Sequence, residues 1–565
     1  MSKSKFKFPD PQTKNPQERK WQRTLEVIPA ILTWATLIGM VFFSWVAPLW
    51  VAVFIIAFDI YWIHRTIFIS YYSVKAYKKL KQGQTIDWFD RCSKISEPGE
   101  YAQEVAKRIV DMKDMLKDVG SYREKRKLKK KIKQDVALLK KIRSINEEDV
   151  MDWRDIIHVV MLPTATEGFE NIDPALASIE QSKYPNDKII ILLATEERED
   201  KEKREKKVKL LLDKYGDKFR DFLVTTHEVA DGEMKCKASN ATYAAKKLRK
   251  YLDEHDIEYE RVIFSNFDCE SVVHPQYFAA LTYEYIIEPK RLQMAYQPIP
   301  LYHNNLWDTN AFVRVIVTSS SFWHMFQSTR REMVTFSSHS EAFKTLVDVD
   351  YWPVNMISED SIIYWKGYSY YHGEYWVKPI YLPISMDAVL ADTYLGTIKN
   401  QYKQKRRWAY GIENFPVIMR AILPDKNIKF IDKIKIAFEM LEGHHSWATA
   451  PFILALLGWL PLIFGNSAFN QSTVAHALPF VTRFLMLLAM SGLIISVSLS
   501  MFLLPKRPEG YSRKRYIHMV LQWLLVPIIA PTLGAIPAID SQTRILLKKY
   551  FTEFWVTDKT IKQKK

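Results

Sequence analysis

The chain has 565 residues and a mass of 66.4 kDa, with 80 Lys and Arg against 64 Asp and Glu, a formal charge of +16. A hydrophobic content of 48% excludes disorder as the main state. Cys92, Cys236 and Cys269 are too few and too scattered for a disulfide framework or a Cys-rich zinc centre, and they suit a reducing cytoplasm. Mean hydropathy is −0.18, an average that conceals strongly segregated segments.

Residues 1–26 are a basic N-terminus. Val27 to Val46 then carries no charge and matches the roughly 20 residues a bilayer requires. A second apolar run, Leu49 to Ser70, is interrupted by Asp59 and by His64-Arg65, with Pro48 at the join. Residues 27–72 therefore predict a transmembrane hairpin. A cleaved signal peptide fits poorly, because the first run is long and another span follows it. Asp59 reads either as a functional intramembrane acid or as a hydrogen bond to a neighbouring helix.

Residues 73–150 predict a charged helical linker. Its most basic stretch, Arg123 to Lys133 (REKRKLKKKIK), invites a nucleic-acid reading, but no zinc spacing, recognition helix or aromatic RNA-binding motif accompanies it. Beside a membrane such a stretch leans on anionic headgroups or is a solvated helix, so nucleic acid is not expected as a partner.

Residues 151–412 change character, with short runs rich in Val, Ile and Leu (IIHVVML, KIIILLA, FLVTT, RVIFSNFD) alternating with amphipathic stretches. That pattern predicts an α/β domain whose mainly parallel sheet is covered on both faces. In such sheets ligands sit beyond the carboxyl ends of the strands, so PTATEG, TEERED and DCES mark the functional edge.

Residues 413–447 predict interfacial helices, and 448–505 a second hairpin made of Ala448–Gly465 and Leu478–Leu504. A further apolar stretch, Tyr516 to Ile539 within residues 506–545, is punctuated by Pro527, Pro531 and Pro537 and predicts a re-entrant or interfacial element. Residues 546–565 form a basic tail. The lysines and arginines of KAYKKLKQGQ and PKRPEGYSRKRY place the insert from Lys75 to about Gly443 in the cytoplasm. His444 and His445 read as interfacial rather than as metal ligands.

Three segments carry chemistry. Asp268 and Glu270 flank Cys269 just after a predicted strand and can converge on a hard divalent ion, although acid-x-acid triplets are also common surface decoration. An acid of Glu359-Asp360 can take a proton from an acceptor hydroxyl, while Ser358 or Asp360 can equally cap the helix that follows. QKRRW, Gln404 to Trp408, offers an amide, a guanidinium fork and a flat ring suited to sugar and phosphate, or else an amphipathic helix resting on the membrane.

Taken in order, PTATE, KASNATYA, DCE, SED and QKRRW resemble the processive-type membrane glycosyltransferases of family 2, the group of cellulose synthase and hyaluronan synthase, from about Asp155 to Gly411. FWVTDK, Phe554 to Lys559, resembles the F-x-V-T-x-K gating loop of the cellulose-synthase-like members. The resemblance implies a GT-A (Rossmann-like) catalytic domain inserted between transmembrane helices of a multi-pass plasma (inner) membrane protein, with the catalytic part cytoplasmic. It implies metal-dependent inverting transfer from a nucleotide-sugar, a UDP-sugar first, to a growing glycan. The alternatives are a lipid-linked (polyprenyl phosphate) or glycolipid acceptor and a catalytically silent scaffold. A homo-oligomer or an export partner is left open.

Carried over by position, Thr164 and Glu167 would line the nucleobase pocket, and Lys237 and Asn240 would lie near the diphosphate or ribose. Asp268 and Glu270 would bind Mg²⁺ or Mn²⁺ and the diphosphate. Asp360 would be the general base, with Glu359, Gln404, Arg407 and Trp408 on the acceptor side. Thr557 and Lys559 would close over the nucleotide. The sequence departs from the family at Ala165, where Tyr is usual, and at Thr195-Glu196-Glu197, which replaces an Asp pair and leaves Glu196 as the base-contacting acid. Four spans make a thin channel, which counts against processive secretion by a monomer.

Overall fold

The structure, a computed structural model, describes residues 6–553. FWVTDK, with Thr557 and Lys559, lies outside the described residues.

The apolar runs form strands β1 (Ile157–Pro163), β2 (Ile189–Glu196), β3 (Asp221–His227) and β4 (Val262–Asn266). They pair in parallel, linked by the helices Phe169–Glu180, Lys201–Tyr215 and Lys237–Glu254. Successive side chains point to opposite faces of a sheet. Val159 and Met161 accordingly enter one core with Ala241, Ala244 and Leu248. Val160 and Leu162 enter the other with Leu176, Ile179 and Leu211. Burial on both faces is what makes β1, β2 and β4 continuous apolar runs rather than alternating ones, while β3 is a half-buried edge strand.

Strands β5 (Val272–Val273), β6 (Met294–Leu301), β7 (His339–Ala342) and β8 (Trp376–Ser385) complete an eight-stranded sheet of order β3-β2-β1-β4-β7-β6-β8-β5. The sheet is mixed: β7 runs antiparallel to both β4 and β6, and β5 antiparallel to β8. This reversal is functional in effect, because it brings the start of β7 to the edge where β1, β2 and β4 end.

In the linker, the helices Pro98–Asp118 and Tyr122–Arg143 send Tyr101, Val105, Ile109, Leu138 and Ile142 into the first core. Arg126, Lys127, Lys129, Lys130 and Lys131 stay exposed, the arrangement of a solvated helix face.

Four helices are long and apolar enough to cross a membrane: Pro16–Val46, Pro48–Gly83, Thr473–Leu503 and the composite run Arg515–Leu546. The first begins eleven residues before the apolar run, because Asn15 accepts hydrogen bonds from the Gln17 and Glu18 amides and Pro16 occupies the first helical position. The 448–465 interval is a broken element, in which Phe430–Ala455 and Leu457–Phe464 meet at 53°. The proline-punctuated 516–539 stretch is continuous through a π-turn at Ala530–Ala535. Trp45, Trp50, Phe480 and Ile494 are exposed on the outer faces, as lipid contact requires. Pro48–Gly83 and Thr473–Leu503 cross so closely that a Cβ on Gly492 would collide with Thr66 Cγ2. Small residues permit this approach in membrane helix pairs.

Candidate active site

The site assembles on Lys237, the first residue of the helix after β3. The turn before it is stapled to the segment leading into Ser358: Met234 N donates to Val354 O (2.9 Å) and Cys236 Sγ to Met356 O (3.4 Å). Lys237 Nζ consequently lies 2.8 Å from Asp268 Oδ1, 3.3 Å from Glu359 Oε1 and 3.4 Å from Asp360 Oδ1. Three carboxylates from two distant segments thus share one ammonium. Burial opposes the charge on Lys237, yet Asp268, Asp360 and Glu359 outweigh it and hold the amine well above the ordinary lysine value. Glu359 is pushed up by burial and by the Asp360 charge, against the pull of Lys237 and Arg407.

Asp268 follows β4, and its other oxygen accepts from Ser337 Oγ. Asn266 of β4 stands opposite His339 of β7, which is how the antiparallel strand delivers His339 to the site. Ser338, just before His339, adopts φ 63°, a left-handed turn that aims its hydroxyl at the Asp268 amide (3.3 Å). His339 Nδ1 donates to Phe336 O (2.9 Å) and lies 4.0 Å from Asp360 Oδ1. Behind it, His339 Nε2 stands 3.8 Å from Glu341 Oε1, whose carboxyl burial pushes up to about 8.

Glu359 and Asp360 open the helix Glu359–Tyr370. The chain before them is held by Glu413, which accepts from Ile357 N (2.9 Å), Ser358 N (2.9 Å) and Ser358 Oγ (2.8 Å). Asn414 adds a contact from Ser358 Oγ and donates to Ser361 Oγ (2.8 Å). Both residues directly follow the helix Tyr394–Ala409 that carries QKRRW, through one 3-10 turn. Within that helix Gln404 is buried and accepts from Gln401 Nε2 (3.1 Å). Burial pulls the Arg407 guanidinium down while the charges of Glu359, Asp268 and Asp360 act against it, so Arg407 lies within their electrostatic reach. Trp408 packs on the cluster of Tyr302, Leu306 and Val317. Tyr302 feels the charges of Asp268, Arg407 and Asp360.

A second group forms at the ends of β1 and β2. Buried Lys207 donates to Thr164 Oγ1 (3.1 Å), Glu167 O (3.0 Å) and both oxygens of Glu199 (2.8 Å). The Glu167 carboxylate accepts from Ala165 N and Thr166 N, so it caps its own turn. Glu196 pairs with Arg198, and burial pushes its carboxyl up to about 7. Thr164 N and Asn240 Nδ2 both donate to Ala194 O, which fixes the Lys237 helix on β2. Asn240 is fully buried in this tie.

Glu270 is buried two residues beyond Asp268, its carbonyl accepting from Asn304 Nδ2 (3.1 Å). Among the described residues no three His, Cys, Asp or Glu side chains form a metal cluster. The donor set nevertheless fits a hard divalent ion held by few protein ligands, since Asp268 and Glu270 supply only oxygens and a diphosphate would complete the shell. Buried Cys269 packs in the core between them.

No protein-family model matches the chain, and no curated protein does. Among solved structures it is similar to a mannosyltransferase of Pyrobaculum calidifontis in complex with GDP-Man and Mn²⁺, at 13% identity and a TM-score of 0.39 over 70% of this chain and 88% of that one. It is also similar to S. aureus TarS residues 1–349 in complex with UDP-GlcNAc, at 12% identity and a TM-score of 0.33 over 63% of this chain and 98% of that one. GalNAc-T7 with UDP, GalNAc and Mn²⁺ is similar at 8% identity and a TM-score of 0.30, over 56% of this chain and 54% of that one. The functional reading rests on the site itself.

Of the residues the sequence singled out, Lys237, Asp268, Glu359 and Asp360 come together in one charged centre, and Arg407 lies within its electrostatic reach. Thr164, Glu167 and Glu196 form the separate group at the ends of β1 and β2, and Trp408 borders the Tyr302 side. Sequence reasoning missed Ser337, His339, Tyr302, Lys207 and Glu413. The one visible signal was the acid in YGIENF, five residues after Trp408.

Proposed function

We propose that the chain is a membrane-embedded, metal-dependent inverting glycosyltransferase that moves a sugar from a nucleotide-sugar, a UDP-sugar first, to a growing glycan. The observation that carries this reading is the convergence of Asp268, Glu359 and Asp360 on Lys237 at the carboxyl edge of the sheet. A binding site of that composition is suited to a leaving group that arrives with its own negative charge and a cation.

The acceptor hydroxyl oxygen attacks the anomeric carbon, the bond from that carbon to the diphosphate oxygen breaks, and the hydroxyl proton passes to Asp360. One displacement inverts the configuration and needs no covalent nucleophile. Lys237 and Arg407 receive the charge growing on the departing diphosphate, an electrostatic task for which preorganised cations are efficient. Asp268 and Glu270 would hold Mg²⁺ or Mn²⁺, which supplies further charge neutralisation when bound. Glu196 and Thr164 face the nucleobase, and Trp408 offers its ring to the acceptor sugar. The basic flanks of the spans support a catalytic domain at the cytoplasmic face of the plasma (inner) membrane.

A lipid-linked acceptor is the second reading, favoured by the packing of Leu504, at the end of a membrane helix, on the same cluster as Trp408. Product sizing separates the two, a ladder against one lipid-soluble product. The decisive experiment offers a panel of nucleotide-sugars to the full chain in nanodiscs with Mg²⁺ or Mn²⁺. Release of nucleoside diphosphate is expected, and failure to bind or cleave any donor overturns the reading in favour of a silent scaffold.

A further inference from the structure

Three consecutive cations occupy the QKRRW segment, and their surroundings differ. Arg406 pairs with Asp540 at 3.1 Å, and Arg407 faces the carboxylate centre. Lys405 has no carboxylate within ion-pair distance among the described residues. Its ammonium sits 4.6 Å from the Trp408 ring centroid and 5.5 Å from that of Trp447, with Ser320 Oγ at 3.4 Å. Burial pulls its amine down to about 8.

Ser320 and His324 lie one turn apart on the helix Ala311–Gln327, which faces this segment. The charge of Lys405 bears on His324, whose Nδ1 is buried without a hydrogen-bond partner among the described residues. A desolvated ammonium held by one hydroxyl and two rings, and an unsatisfied imidazole nitrogen one turn from that hydroxyl, are each costly to maintain unless an anion completes them. Lys405 and Trp408 are three positions apart on the helix and so share a face.

We infer that Lys405, Ser320 and His324 form a seat for an anionic substituent, a carboxylate or phosphate, on the sugar that stacks on Trp408. This rests on the glycosyltransferase reading and extends it: the acceptor is an acidic glycan. The ring takes the apolar face of the sugar, and the ammonium next to it takes the charge. Arg407 remains committed to the carboxylate centre and does not compete for that group.

The test is calorimetric titration of the full chain in nanodiscs with triglucuronate, with neutral cellotriose and with farnesyl phosphate, in wild type, Lys405→Met and Lys405→Arg. Wild type is expected to prefer triglucuronate over cellotriose by about tenfold or more, the range of a hydrogen bond to a charged group. Lys405→Met should erase that preference and Lys405→Arg retain it. Melting curves of each variant, with Lys405→Gln as a second neutral replacement, show that the fold is intact. Equal affinity for the two trisaccharides, or tight binding of farnesyl phosphate with none of triglucuronate, overturns the seat. Titration of UDP-glucose and GDP-mannose in the same samples separates the two claims. Donor binding without acid preference sinks the seat alone, and absence of donor binding sinks the enzyme reading and the seat with it.

Discussion

The Lys237 ammonium lies 2.8 Å from Asp268 Oδ1, an oxygen that a divalent cation would also claim. On the proposed reading, lysine and metal would compete for the same carboxylate when no donor is bound. Lys237→Ala is therefore expected to bind Mn²⁺ more tightly than wild type in the absence of nucleotide, by about tenfold, since an uncompensated acid cluster gains a cation partner. The same variant should lose diphosphate release. Electron paramagnetic resonance of free Mn²⁺ measures the first effect, and unchanged Mn²⁺ affinity would remove Asp268 from the metal site.

Asp360 sits at the start of its helix with one oxygen toward Lys237 and His339. Asp360→Asn should keep nucleotide-sugar affinity and lose transfer by about 10²-fold or more, the usual contribution of a positioned base. Single-turnover assays with radiolabelled donor report it. Near wild-type turnover would assign the proton to another group.

Glu413 accepts three hydrogen bonds from Ile357 and Ser358, directly before the acidic pair. Glu413→Ala strands two buried amides, a cost of about 1–3 kcal/mol for each unsatisfied group. The expected signature is a fall in kcat of about tenfold or more with donor affinity retained, because misplacement of about 1 Å already affects turnover. Glu413→Gln, which keeps an acceptor oxygen, should recover part of it.

Glu341 is buried in β7, and burial raises its carboxyl from 4.5 to about 8. The native state therefore holds this proton over a range in which the unfolded chain has released it. Its contribution is fully favourable below pH 4.5 and declines as pH rises toward 8, at about 1.4 kcal/mol per pH unit. Melting temperatures between pH 5 and pH 8 should fall less steeply in Glu341→Gln than in wild type. Parallel curves would mean that Glu341 is ionised in the fold.

Gly492 allows the close crossing of two membrane helices against Thr66. Gly492→Leu should force them apart and lower the melting temperature in detergent, whereas Gly492→Ala should do so less. Identical melting of all three proteins would show that the crossing loosens freely.

Much of the α/β half was legible because its physics is local. Strands β1, β2 and β4 are buried on both faces, so their residues are largely apolar, and the acids at their ends stand out against that background. The reversal of β7 was not legible. Its four residues, His339, Ser340, Glu341 and Ala342, include three polar side chains that are buried only because the neighbouring strands cover them. The tie from Asn240 Nδ2 to the Ala194 carbonyl was not legible either, since a motif gives a residue's type and not the direction of its amide. Glu413 escaped notice because its partners lie about fifty positions upstream, and no periodicity encodes that distance.

The clasp between Glu413-Asn414 and Ser358 joins the helix that carries QKRRW to the start of the helix that carries Glu359 and Asp360. The two cannot travel independently. If the acceptor glycan stacks on Trp408 as proposed, its load would reach Asp360 through that clasp, and an incoming chain too short to press on the ring would leave the proton acceptor out of reach. Length discrimination would then arise from mechanics, without any pocket that measures the chain.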